Sequence, residues 1–397
     1  METAGAIVFL PREGTGRSLM LEDLLFEPAA LWLAETLRRG GVERFLVVCH
    51  QNDLEEAAAC FPEGTELITT GTEDANQRLS AFLGGQTGRV VVVTKPVQLM
   101  EEDVKNLLSE QPAQSSDDRE TGVCRIDAAA LAAALESGAD FETALRSRAD
   151  RLGGRSMWLQ SVRPLRTGWR ERMEAELLAR NSGAVRLMEA GVRIMDPNNV
   201  YVGPQVTVGA GTVLLPGTIL RGKTTIGGAC EIGPNSMIRD CVIGDRVTIN
   251  ASQLNESTVE EGTKVGPFAY VRPNCHVGRD VKVGDFVELK NSTIGEGTKI
   301  SHLTYVGDSD VGSHVNFGCG TVTVNYDGIT KYRTTIGDHA FIGCNTNLVA
   351  PVKIGDGAYT AAGSTITDEV PADSLAIARS QQVVKKQWAA KRRSRRK

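Results

Sequence analysis

From Asn199 to about Val370, apolar positions recur every six residues. Aliphatic side chains fall at Val202 and Val208, then at Leu220, Ile226, Ile232 and Ile238. The beat resumes at Val259, Val265, Val271, Val277, Val283 and Leu289, and again at Ile336, Ile342, Leu348 and Ile354. Glycine often follows directly, as at Gly203, Gly227, Gly278, Gly284, Gly337 and Gly355. This is neither the helical period of about 3.6 nor the strand period of about 2. It predicts a three-sided β-helix in which each hexad is one flat side. The aliphatic residue points inward and stacks on its equivalents, and the small residue after it lets the chain bend at the corner. The interior of such a prism is too narrow for a substrate, so chemistry must lie on its outer faces, in loops or between subunits. Its flat faces favour a closed oligomer, and three sides favour a trimer.

Residues 1–165 are patterned differently. "AIVFL" (6–10), "RFLVVC" (44–49), "ELITT" (66–70) and "RVVVVT" (89–94) are short β-branched runs separated by helix-like stretches such as "PAALWLAETLRRGG". That alternation predicts a parallel, doubly wound α/β sheet of the Rossmann-like kind. "QPAQSSDDRET" (111–121) reads as a loop. Residues 166–192 have rough helical spacing and predict a linker helix followed by a second short helix. The expected organisation is thus an α/β domain (1–165), a helical linker (166–192), a β-helix (193–380) and a basic tail (381–397).

Composition narrows the function classes. The 397 residues suffice for two or three domains, and 41% hydrophobic with 23% charged residues is ordinary for a soluble globular chain. A net charge of −5 gives the body no general bias toward nucleic acid. The eight cysteines form no CxxC pair and no zinc-like spacing, so they read as reduced, small apolar residues. The apolar run near the N-terminus, Ala6–Leu10, is too short for a signal peptide or a membrane span, and a cytoplasmic location is expected. The tail "KKQWAAKRRSRRK" reads first as a solvated end and second as a cover for an anionic coenzyme.

One stretch of the prism carries more than its beat. "SHLTYVGDSDVGSHVNFGCG" (301–320) keeps the apolar rhythm yet holds His302, Tyr305, His314 and Asn316. Downstream, "VTVNYDGITKYRTT" (322–335) interrupts the hexads, which predicts a protruding loop. His276, His314 and His339, without such company, read as surface residues.

These motifs, with the lead-in "EAGVRIMDPNNVYVGPQVTVG", closely resemble the bacterial bifunctional N-acetylglucosamine-1-phosphate uridyltransferase/glucosamine-1-phosphate acetyltransferases, almost continuously from about Arg170 to Trp388. The resemblance implies a left-handed β-helix, a homotrimer, and acetyl transfer from acetyl-CoA to the amino group of glucosamine 1-phosphate, toward UDP-N-acetylglucosamine and peptidoglycan. It makes His302 the general base. The amine must shed a proton to attack a thioester, and imidazole titrates near neutrality. It gives Glu288 the task of orienting or polarising that histidine. Arg272 and Lys290 become phosphate-binding cations, and Tyr305 and Asn316 hold the sugar phosphate. The backbone N–H of Cys319 faces the acetyl carbonyl. The 322–335 loop reaches an adjacent subunit, with Asn325 and Tyr326 on acetyl-CoA and Lys331 on the phosphate. Cys344, Ala362 and Arg379 match further acetyl-CoA positions, Cys344 standing where serine is expected.

The N-terminal region departs from the same family. Its Gly-rich triphosphate loop corresponds to "FLPREGTGRSLMLEDLLFEPAALW", where Gly14 and Thr15 survive but a Pro-Lys is missing. The Gly-Asp pair expected to bind magnesium is Thr94-Lys95 here, and a lysine repels that metal. The sugar-binding stretch is shortened. The expectation is a degenerate nucleotidyltransferase-like domain, with magnesium required only if uridyl transfer survives. Alternatives are a bifunctional enzyme, a non-catalytic hexad scaffold, and an acyltransferase for another acceptor. No nucleic-acid partner and no membrane span are expected.

Overall fold

The computed structural model describes residues 4–12, 16–69, 74–84, 88–109, 122–136 and 162–395. Gly14, Thr15 and the 111–121 stretch lie outside the described residues. The chain falls into two compact units, Met1–Thr224 and Thr225–Lys397.

In the first unit, the apolar runs become a sheet in the order Glu66–Thr69, Arg44–Cys49, Gly5–Phe9, Arg89–Val93, Val123–Asp127. The first four strands are parallel. Val91 and Val93 face a core shared with helices Ala29–Arg39, Leu54–Cys60 and Glu101–Leu108, and Val90 and Val92 face helices Ala75–Gly84 and Ala128–Glu136. Burial on both faces explains why these strands read as continuous apolar runs. The edge strand Val123–Asp127 is antiparallel to Arg89–Val93, so the sheet is mixed rather than wholly parallel. Its partly exposed residues Cys124, Arg125 and Asp127 suit an edge.

The linker is a single helix, Trp169–Glu189, rather than two. Gly183 does not break it. A Cβ there would lie 2.7 Å from the carbonyl oxygen of Val202, so glycine lets the helix backbone close onto the strand Val200–Val202. Arg186 on the same helix donates to the carbonyls of Val206 (2.9 Å) and Gly203 (3.4 Å). Burial lowers its pKa to about 10, which leaves it charged at neutral pH. Arg221 donates to the carbonyl of Phe26 at 3.1 Å and lies over its ring. These contacts join the first coil strands, which include Val200–Val202 and Thr218–Arg221, to the α/β part of the same unit.

The second unit is a left-handed parallel β-helix of hexapeptide repeats. Val283 pairs in register with Ile300, Ile300 with Phe317, Phe317 with Ile342 and Ile342 with Thr360. Ile232, Val271, Val283, Leu289, Ile300, Ile342 and Leu348 are all 0% exposed, so the hexad beat is the core. Burying each such side chain contributes about 1.5–3 kcal/mol. A second interior position takes small residues, among them Cys241, Cys275, Thr298 and Thr321. Burial pushes the Cys241 thiol up to about 11, so it packs as an inert apolar group. Hydroxyls there tie coil to coil: Thr298 donates to the carbonyl of Gly312 and accepts from the N–H of Val315.

The glycines after the aliphatic positions are needed for space more than for bending. A Cβ on Gly227 would meet the backbone nitrogen of Asp245 at 2.7 Å, and one on Gly244 that of Glu261 at 2.6 Å. Many corner residues with positive φ are instead asparagine, aspartate and aromatic residues, such as Asn274, Asp280 and Phe286.

Candidate functional site

The expected site residues divide into a column and a face. The column is built by register. His302 stands two residues after the inward Ile300, Cys319 two after Phe317, Cys344 two after Ile342 and Ala362 two after Thr360. Because those inward residues stack coil on coil, the four positions share one corner of the prism. Asp285 holds the same place one coil earlier, two residues after Val283. Gly284 and Gly318 are the spacers, since a Cβ on either would collide with the adjoining coil at Ser301 or Cys344.

His302 is exposed, and its Nδ1 lies 2.6 Å from Asp285 Oδ1. The histidine bond is the main cause that holds the Asp285 carboxyl below its usual range. Among the described residues, Nε2 of His302 has no partner. Here the structure corrects one expectation. Among the described residues Glu288 makes no hydrogen bond to His302. It lies on the neighbouring sheet, paired in register with Tyr305, and accepts from Arg272 Nη1 at 2.9 Å. Hydrogen bonding to Glu288 is the leading cause that raises the Arg272 pKa.

The face is built around Asp308, which sequence reasoning missed. This carboxylate is 5% exposed. It accepts from Asn291 Nδ2 at 2.6 Å, from Lys290 Nζ at 3.3 Å, and from Asn325 Nδ2. Burial works to raise its pKa, but these donors outweigh it and hold the carboxyl low. Desolvation opposes the Lys290 ammonium, yet its bond to Asp308 helps hold its pKa above the usual lysine value. The Lys331 side chain adjoins Lys290. The Tyr305 phenol lies over Gly307, where any side chain would collide with it. Asn316 follows in the next coil, paired with Lys299 and Phe341.

The interrupted segment is a protruding hairpin. Tyr326 bridges Lys331, and Asp327 accepts from the N–H groups of Ile329 and Thr330 at 2.8 and 2.7 Å. Ile329 at the tip is 91% exposed. Arg333 anchors the base through two bonds to Asp310. Cys344, Ala362 and Arg379 are all exposed, and the Arg379 stem passes Gly363, next to Ala362. Among the described residues the backbone N–H of Cys319 has no acceptor.

In the first unit, Thr94 and Lys95 follow the strand Arg89–Val93, with the Lys95 stem packed against Gly122. A lysine at this strand end does not fit a magnesium site. Among the described residues no three His, Cys, Asp or Glu side chains converge as metal ligands. No described helix is long and apolar enough to cross a membrane.

Comparison with known proteins places these features. The family model "Bacterial transferase hexapeptide (six repeats)" matches residues 256–291 and 333–368. The bifunctional protein GlmU of Clostridium kluyveri is 55% identical over 219 residues, which is 55% of this chain and 48% of that protein. GlmU of Clostridium acetobutylicum is 56% identical over 205 residues, covering 52% and 45% respectively. Among solved structures, an Arabidopsis UDP-N-acetylglucosamine acyltransferase aligns at 13% identity and a TM-score of 0.28, over 47% of this chain and 69% of that one. The chain spans about half the length of the GlmU proteins it matches. It is thus similar, over a little more than half of its own length, to bifunctional GlmU proteins.

Proposed function

We propose that the second unit transfers an acetyl group from acetyl-CoA to the amino group of glucosamine 1-phosphate. The observation that carries this reading is the convergence of an exposed histidine with a free Nε2 and an excess of cations on the adjoining face. His302 takes the proton as the amine attacks the thioester carbonyl. Arg272, Lys290 and Lys331 hold the phosphate, with Tyr305 and Asn316 against the sugar. Lys290 and Lys331 repel each other, and a phosphate dianion relieves that repulsion better than Asp308 alone. The free N–H of Cys319 meets the developing oxyanion. Cys344, Ala362 and Arg379 continue the column along the coenzyme, and Asn325 and Tyr326 approach it from the hairpin.

The working form in this reading is a homotrimer. Phe268 and Phe286 stack at 5.5 Å while 60% and 57% exposed, with Leu303 on the following coil 57% exposed. Such an apolar ladder calls for cover. We propose further that uridyl transfer is lost, on the strength of Lys95 at the expected metal position.

The test follows release of free CoA thiol from acetyl-CoA and glucosamine 1-phosphate. UTP and magnesium are then added and pyrophosphate is measured. Thiol without pyrophosphate is the expected result. Pyrophosphate release would restore the bifunctional reading, and absence of both signals would sink the enzyme.

A further inference from the structure

We infer that Asp285 is the positioning residue for His302: it accepts the Nδ1 proton and so presents Nε2 as the base. The inference rests on the acetyl-transfer reading only for its kinetic consequence. The geometry stands by itself. Asp285 and His302 are paired in register on adjacent coils. The N–H of Leu303 donates to the carbonyl of Asp285 at 3.0 Å, which locks the two corners together. Thr304 donates to the carbonyl of His302 at 2.7 Å and fixes the turn beyond it. Glycine at 284 lets the two coils close. The ring therefore meets the carboxylate on a rigid ladder.

The chemistry follows from what a carboxylate can do. Ionised Asp285 only accepts hydrogen bonds, so the proton in the 2.6 Å contact belongs to Nδ1. A neutral imidazole with its proton on Nδ1 has its lone pair on Nε2, the nitrogen left without a partner. When Nε2 takes up a proton, the adjacent carboxylate steadies the imidazolium. Glu288 instead accepts from Arg272 and lies on another sheet, paired with Tyr305.

The chain carries its own control. His276 also touches a carboxylate, Glu260, at 3.0 Å, but through Nε2. That pair has the orientation opposite to the one a base needs in the column.

The experiment compares wild type, Asp285→Ala and Glu260→Ala, labelled with nitrogen-15 histidine, at alkaline pH where the rings are neutral. A His302→Ala sample assigns the His302 signal, and steady-state kinetics are run on the same preparations. In wild type the His302 shifts should report the Nδ1–H tautomer, and in Asp285→Ala they should move toward Nε2–H. Asp285→Ala should also lower kcat roughly 10–100-fold, part of the ~10²–10⁴-fold a general base supplies, with both KM values little changed. Glu260→Ala should alter neither. An unchanged tautomer, or an unchanged kcat, in Asp285→Ala overturns the inference. A wild-type chain with no acetyl transfer overturns the proposed function instead, and the nitrogen shifts still decide whether Asp285 sets the tautomer.

Discussion

Both units set cations near the ends of parallel strands, and they treat them in opposite ways. In the first, Arg12 lies just beyond the strand Gly5–Phe9 and gives two bonds to Asp53, at 2.9 and 2.5 Å. In the second, Lys290 and Lys331 come together with one buried carboxylate, Asp308, to balance them. A guanidinium held by two bonds to its own carboxylate keeps fewer donors for a ligand than Arg272, which gives Glu288 a single bond. Two ammonium groups sharing one carboxylate leave positive charge uncompensated. A strand-end cation therefore marks a ligand site only where the fold leaves it in excess.

The comparison breaks most sharply at His302. His302→Ala should cut acetyl transfer about 10²–10⁴-fold. The far-ultraviolet circular dichroism should stay that of the wild type, because the side chain is exposed. Lys290→Ala comes next. Losing one charge-assisted bond, worth about 1.5–3 kcal/mol, should raise the KM for glucosamine 1-phosphate roughly 10–100-fold. The KM for acetyl-CoA should hold.

Asp308→Asn tests the buried centre of the face, and its effect is on stability. Removing the charge should cost about 1–3 kcal/mol at neutral pH, read by urea unfolding. The folded pKa of Asp308 is depressed. Its contribution is therefore complete above the unfolded carboxylate value, about 3.9, and disappears as pH falls through the lower folded value. Wild type should accordingly lose more stability than Asp308→Asn between neutral and strongly acidic pH. An equal loss would remove the buried carboxylate from the account. The smallest effect belongs to the first unit. Arg12→Ala should leave acetyl transfer within about twofold, and a large drop would show that the two regions are not independent.

Much of this was legible from periodicity. Every aliphatic hexad position from Ile226 to Ile354 that the pattern singled out is buried, because a stacked prism permits no other place for it. The α/β region was legible for the same reason, its strands being apolar on both faces. That residues 166–192 hold one helix rather than two was not legible, because what Gly183 serves, the close approach to the carbonyl of Val202, lies outside the helix. Asp285 and Asp308 were missed for a related reason. Each acts on a neighbouring coil, so neither is adjacent in sequence to the group it serves. The signal for Asp285 was nonetheless present. It stands two residues after an inward aliphatic, as His302 does one coil later. Counting by coil position rather than by motif finds it.

The most direct measurement compares CoA thiol release with glucosamine 1-phosphate and with glucosamine, using wild type and Lys290→Ala. Wild type should strongly prefer the phosphorylated sugar, and Lys290→Ala should lose most of that preference. Equal turnover of both sugars by wild type would contradict this, because the gathered cations would then hold no phosphate.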